Sequence, residues 1–124
     1  MKRIIESPKA PAAIGPYSQA VALDGIVFIS GQLPVNPETG EIPAGIEAQT
    51  RQSLTNIMAI LSEAGLCAKD IVKTCVLLAD INDFTAMNAV YATYFPDGCP
   101  ARICYQVAAL PKGALVEIDA IAGR

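Results

Sequence analysis

A chain of 124 residues without a single histidine has room for one hydrophobic core but not for a second, cofactor-binding domain. It cannot run Ser-His or Cys-His chemistry or offer imidazole to a metal. Twelve acidic against nine basic residues, net charge −3, with no Lys/Arg cluster, disfavour a nucleic-acid partner; a 52% hydrophobic composition and a mean hydropathy of +0.39 are more than so small a domain hides alone, so a homo-oligomer is expected.

Residues 1–124 read as one domain. Arg3 to Ile5 can form a short strand, and Pro8, Pro11, Gly15 and Pro16 then impose an irregular arm that ends at Tyr17. Ser18–Leu23 and Ile26–Ser30 flank Asp24-Gly25, a dipeptide suited to a two-residue hairpin turn. Gly31 to Gly45, with Pro34, Pro37, Gly40 and Pro43, reads as a long surface loop. From Ile46 the positions Thr50, Leu54, Ile57, Met58 and Leu61 recur at three and four, which predicts an amphipathic helix of about five turns stopped at Gly65.

Ile71 to Ala79 has the length and Val/Leu content of a central strand. A second helix, capped by Asn82 or Asp83, places Phe84, Met87, Asn88, Tyr91, Tyr94 and Phe95 on one face and ends at Pro96 and Gly98. Two more strands begin at Arg102 and at Val116. The order β β β α β α β β, with helices long enough to cross between parallel neighbours, predicts an α+β fold: a single mixed six-stranded sheet with two helices on one face. The other face is left for neighbouring subunits.

The last quarter carries charges where they cost most. Ile103, Tyr105 and Val107 alternate with Arg102, Cys104 and Gln106, while Glu117 and Asp119 point opposite to Val116, Ile118 and Ala120. The expected arrangement puts Arg102, Cys104, Glu117 and Asp119 together on the helix-free face. Charges on an apolar sheet are paired, solvated in a cleft or reserved for a ligand. If the chain turns at Lys112, residue 102 lies level with about residue 122, so Glu117 is about 16 Å further along. An intrachain bridge is then out of reach, which leaves an interface or a ligand for each charge. Tyr17 either fills a sheet edge or touches a ligand, and Gly31 after Ser30 either ends a strand or lets a ligand approach the backbone.

No apolar run approaches the roughly 20 residues of a membrane span, and Met1-Lys2-Arg3 leads into Ile4-Ile5-Glu6, not a signal core. A soluble, cytoplasmic protein is expected. Cys67, Cys75, Cys99 and Cys104 show no CxxC spacing and are expected to be reduced and to hold no metal. Cys104 has no base beside it in sequence, which favours a positional role through its backbone.

Pro100-Ala101-Arg102-Ile103-Cys104, Leu110-Pro111 and Val116-Glu117-Ile118 resemble the C-terminal signature of the Rid family (reactive intermediate deaminases, YjgF-like). Ile14-Gly15-Pro16-Tyr17-Ser18-Gln19-Ala20, Ile29-Ser30-Gly31-Gln32-Leu33 and Asn88-Ala89-Val90-Tyr91 resemble further family motifs in order, so the resemblance spans the chain. It implies a chorismate-mutase-like fold and a homotrimer with ligand clefts between subunits. It also implies cofactor-independent hydrolysis of 2-imino acids and their enamines, such as 2-iminobutanoate and 2-iminopropanoate, to 2-oxo acids and ammonia. By resemblance, Arg102 grips the substrate carboxylate and Glu117 holds the attacking water. Tyr17 closes over the substrate, and Gly31 and Cys104 offer backbone contacts with Ser30 nearby. The family often has Glu where this chain has Asp119. Two other readings stand beside it: a non-catalytic sensor of 2-oxo acids that uses the same cleft and arginine, and, against the acidic balance and the lack of a basic stripe, RNA cleavage or translation inhibition.

Overall fold

The computed structural model describes residues 1–124. Its strands are β1 (Arg3–Ile5), β2 (Ala20–Leu23), β3 (Ile26–Gln32), β4 (Ile71–Leu78), β5 (Ala101–Gln106) and β6 (Val116–Gly123), and its helices are α1 (Ile46–Glu63) and α2 (Phe84–Ala92). The strands form one mixed six-stranded sheet in the order β1-β2-β3-β6-β4-β5, the expected α+β architecture. No helix is long and apolar enough to cross a membrane.

Local chemistry explains most boundaries. Asp24 and Gly25 both take positive φ, 51° and 82°, which is what a type I′ turn requires to match the twist of β2 and β3. Helix α1 stops where Gly65 turns left-handed at φ 74°; there Leu66 N–H donates to the Leu61 carbonyl and Gly65 N–H to that of Ser62, the paired closing bonds of a Schellman end. Asp83 holds the N-cap position of α2 but makes no side-chain capping bond; the short 3-10 turn before it is capped by Asp80, whose side chain accepts from Asn82 N–H at 2.9 Å. Helix α2 ends at Ala92, so Tyr94 and Phe95 lie in the turn beyond it.

The core lies on one side of the sheet. Val116, Ile118, Ala120 and Ala122 of β6 alternate inward, fully buried, against Leu54, Ile57, Ile60 and Leu61 of α1. Helix α1 also buries amides that tie loops down. Asn56, 0% exposed, donates to the Leu33 and Val35 carbonyls at 3.1 and 3.0 Å, and Gln49 donates to the Pro43 carbonyl while accepting from Leu115 N–H. The proline-rich loop after β3 is thereby fixed to the helix that covers the sheet.

Two expectations are corrected. Helix α2 does join parallel neighbours, β4 and β5, but α1 does not: β6 enters antiparallel between β3 and β4. The last strand therefore has two partners, and β5 is an outer strand not adjacent to it.

The second correction concerns faces. Thr74 pairs with both Arg102 and Ala120, and Leu77 with both Tyr105 and Glu117. Arg102 and Cys104 accordingly lie on the helix-covered face, whereas Glu117 and Asp119 lie on the open one. Ile103 and Tyr105, the apolar members of β5, are 45% and 49% exposed on that open face. It is apolar across its width, with Phe28 beside Val21 and Ile121, and Leu77 beside Tyr105. A sheet with two apolar faces makes alternation silent about which face meets the helices.

Replacing Asn56 with leucine strands the Leu33 and Val35 carbonyls in an apolar setting. Urea unfolding at fixed protein concentration is expected to record a loss of about 1–3 kcal/mol for each stranded group.

Candidate functional site

The registry of β3 on β6 slips by one residue: Ile29 pairs with Ala120, but Gln32 pairs with Ile118. Ser30 and Gly31 thus stand together opposite Asp119, a bulge that bends the strand end and re-aims its last residues. Three bonds hold it. Ser30 Oγ donates to the Ser18 carbonyl at 2.6 Å, Ser30 N–H to the Gln19 carbonyl at 2.9 Å, and Gln32 Nε2 to the Ser30 carbonyl at 3.1 Å.

Beside the bulge is a cavity of about 400 Å³, within the usual range for small-molecule sites. Its walls come from three parts of the chain: Ile14 and Tyr17 of the arm, Ser30 and Gly31 of the bulge, and Lys112 and Glu117 from the end of the chain. Leu33 and Val35 add apolar wall from the loop that Asn56 holds. The arm is held by Gln19, 4% exposed, which accepts from Ser7 N–H at 2.6 Å and donates to the Ser7, Ala10 and Pro11 carbonyls. Tyr17, half exposed, accepts at its hydroxyl from Ile14 N–H at 3.3 Å.

Glu117 enters this cavity from the open face of β6. Burial, and after it the negative charge of Asp119 two residues on, push its carboxyl above the ordinary value of 4.5. Asp119 is itself tied to the neighbouring strand, accepting from Cys75 N–H at 2.9 Å.

Arg102 lies elsewhere, half-buried against α2. Its guanidinium stacks on the rings of Tyr91 and Phe84, 4.8 and 5.5 Å from their centroids, and donates to Asn88 Oδ1 at 2.7 Å. Tyr91 is fixed in turn by a 2.7 Å hydroxyl bond to Thr74. Neither ion pair of the molecule, Lys69–Asp97 or Arg124–Asp70, involves Arg102. It is a positioned cation with most of its five N–H donors uncommitted. Cys104 shares its face, and burial raises its thiol above 9.0 while Arg102 opposes the rise, so it is a poor thiolate.

Of the residues expected at a site, Tyr17, Ser30, Gly31 and Glu117 meet in one cavity, whereas Arg102 and Cys104 do not line it. Arg102 and Glu117 are three residues apart in register and two strands apart, or about 14 Å at ordinary sheet spacings, and on opposite faces. The expected separation holds for a different reason, since β4 intervenes. Sequence reasoning passed over Gln19, Lys112 and the loop residues Leu33 and Val35. The signals were a glutamine amid prolines needing amide partners, and a lysine in a Pro-Lys-Gly turn next to a charged strand.

The family described as Endoribonuclease L-PSP matches residues 7–123, and with its relatives this shows the class: the chain belongs to the Rid (YjgF-like) family. Particular members are close. A 2-iminobutanoate/2-iminopropanoate deaminase of Capra hircus is 57% identical over 123 residues, covering 98% of this chain and 90% of the relative. The protein of the same description from Escherichia coli K12 is 52% identical over 127 residues, covering 100% and 99%. Among solved structures, E. coli TdcF with bound serine superposes with a TM-score of 0.96 at 51% identity, covering 98% of each chain, and the Rid-family protein YyfA of Yersinia pestis with 0.97 at 51%, covering 100% of each.

The raised carboxyl of Glu117 has a consequence for stability. A group whose folded value lies above its unfolded value binds more protons when folded, so it lowers stability as pH rises from about 4.5 through the folded value. Glu117→Gln is therefore expected to melt above the wild type at neutral pH. The difference should vanish below the ordinary carboxyl value, as scanning calorimetry across pH will show.

Proposed function

We propose that the protein hydrolyses small 2-imino acids, 2-iminobutanoate and 2-iminopropanoate among them, to 2-oxo acids and ammonia without a cofactor, as a homotrimer with sites between subunits. The observation that carries this reading is a division of labour. A half-buried acid stands in a small, largely apolar-walled cavity that no arginine lines, and a rigidly held guanidinium without a carboxylate stands on an outer strand about 14 Å away. One copy cannot bring them to one ligand; adjacent copies can. The relatives named as deaminases of these two imino acids support the substrate class, and the serine held by TdcF supports a ligand that pairs a carboxylate with a nitrogen on the next carbon.

On this reading Arg102 of one subunit receives the substrate carboxylate through parallel N–H donors, a geometry lysine does not reproduce. The imine carbon then lies over the neighbouring cavity, near the backbone of the Ser30–Gly31 bulge, with Tyr17 over it. Cys104, next but one to Arg102, contributes backbone on the arginine side. Glu117 in its ionised form orients a water molecule and accepts its proton as the oxygen bonds to carbon. With the imine nitrogen protonated, the C=N π pair moves to nitrogen as the oxygen bonds. Glu117 then passes its proton to the carbinolamine nitrogen. The hydroxyl oxygen's lone pair forms the C=O bond as the C–N bond breaks and ammonia leaves with its bonding pair, and the hydroxyl proton goes to Glu117 and on to ammonia. An imine carbon is electrophilic already, so orientation and one base supply what the reaction needs. Trimerisation would cover the open face carrying Phe28, Ile103 and Tyr105, and the four free cysteines suit a reducing, cytoplasmic setting.

Imine trapping, the kinetics of an Arg102 variant and light scattering test the proposal. With 2-iminobutanoate generated in place by a threonine dehydratase and trapped by semicarbazide, the protein is expected to suppress trapping. Unchanged trapping with tight 2-oxo acid binding in a calorimeter would reassign the cavity to a sensor. Arg102→Ala is expected to lose about 10²-fold or more in kcat/KM, and light scattering to return three times the 13.0 kDa chain mass for wild type and variant alike. A monomeric wild type would end the intersubunit site.

A further inference from the structure

We propose that Gly31 is the seat of the Glu117 carboxylate, a positioning residue whose missing side chain sets where the acid lies. A Cβ built on Gly31 would stand 2.6 Å from Glu117 Oε2, 3.0 Å from Cδ and 3.3 Å from Cγ. All three atoms belong to the far half of one side chain, and no other atom lies as near. The φ of Gly31 is outside the left-handed region, so its backbone does not call for glycine; only the space does. The bulge supplies the reason. With Ser30 and Gly31 both opposite Asp119, the direction a Gly31 side chain would take runs into the flank of Glu117. The three bonds to Ser18, Gln19 and Gln32 fix that turn.

Gly31 thus does more for the site than the backbone contact with substrate proposed above. An alanine would leave the strand intact, since the colliding atoms are the mobile end of a glutamate, and would push the carboxylate off the strand end toward open solvent. Stability and chemistry would separate. The titratable groups around Glu117 are Asp119 on its own strand, Cys75 and Tyr105 on the open face, Lys112 and Tyr17 on the cavity wall and, in the trimer proposed above, Arg102 of a neighbouring copy. Alanine at 31 alters none of them, so a change in the titration of Glu117 reports its own displacement.

The kinetic part of the inference rests on the proposed imine hydrolysis; the titration does not. In protein labelled with ¹³C at glutamate side-chain carboxyls, with Glu117→Gln identifying the resonance, the Glu117 midpoint is expected to fall in Gly31→Ala toward the ordinary 4.5. The melting temperature should be no lower than wild type, and kcat should fall about 10- to 100-fold, the scale of a misplacement near 1 Å, with KM changed less than kcat. An unmoved midpoint, or a rise in KM alone, overturns the proposal and leaves Gly31 as a ligand contact only. If the wild type leaves imines untouched, the functional reading fails while the titration still decides the seat. If Gly31→Ala does not fold, Gly31→Ala/Glu117→Ala is expected to fold because the collision is gone; its failure to do so overturns the proposal.

Discussion

A six-stranded sheet with two helices can bury only one of its faces, and that constraint organises the molecule. Helices α1 and α2 cover the side carrying Val116, Ile118, Ala120 and Ala122, all at 0% exposure. The opposite side keeps Phe28, Ile103 and Tyr105 about half exposed. Burial of apolar area at about 25 cal/mol per Å² makes an open face of this kind a strong drive to association. The acid at its margin gains its desolvated setting from the same geometry, since Glu117 belongs to the open face but stands where the bulge, the arm and the 111–113 turn close around it.

Much of this was legible in the chain. Asp24-Gly25 requires a tight turn, the spacing from Ile46 requires a helix, and Pro8, Pro11 and Pro16 forbid regular structure, because each rests on local backbone chemistry. The place of β6 between β3 and β4 is not local. Nothing in Val116–Gly123 distinguishes an edge strand from one inserted between two others except near-complete burial of its alternate residues, which depends on partners far away in sequence. Arg102 shows the same limit more sharply. Alternation separates Arg102 from Ile103, but both faces of β5 have something to meet, α2 on one side and the open apolar surface on the other.

The candidate site was legible in its members more than in its layout. Tyr17, Ser30, Gly31 and Glu117 come together in one cavity; Arg102 is held apart by α2. What hid the layout is that the supporting residues are ordinary polar side chains, Gln19, Gln32, Asn56 and Asn88, each spending its amide on backbone carbonyls or on one guanidinium. Such residues have no motif chemistry of their own. Their significance lies in which loop they hold, and that is a property of the folded chain.

The poverty of ion pairs has a further consequence. Lys69–Asp97 and Arg124–Asp70 are peripheral pairs of the kind that contribute little and are screened by electrolyte, so the fold rests on neutral contacts and should be nearly indifferent to ionic strength. The guanidinium of Arg102, with most of its donors uncommitted, is different: on the proposed reading the substrate carboxylate competes there with salt. If Arg102 is that anchor, added electrolyte weakens the capture of a charged ligand while sparing the scaffold that presents the charge.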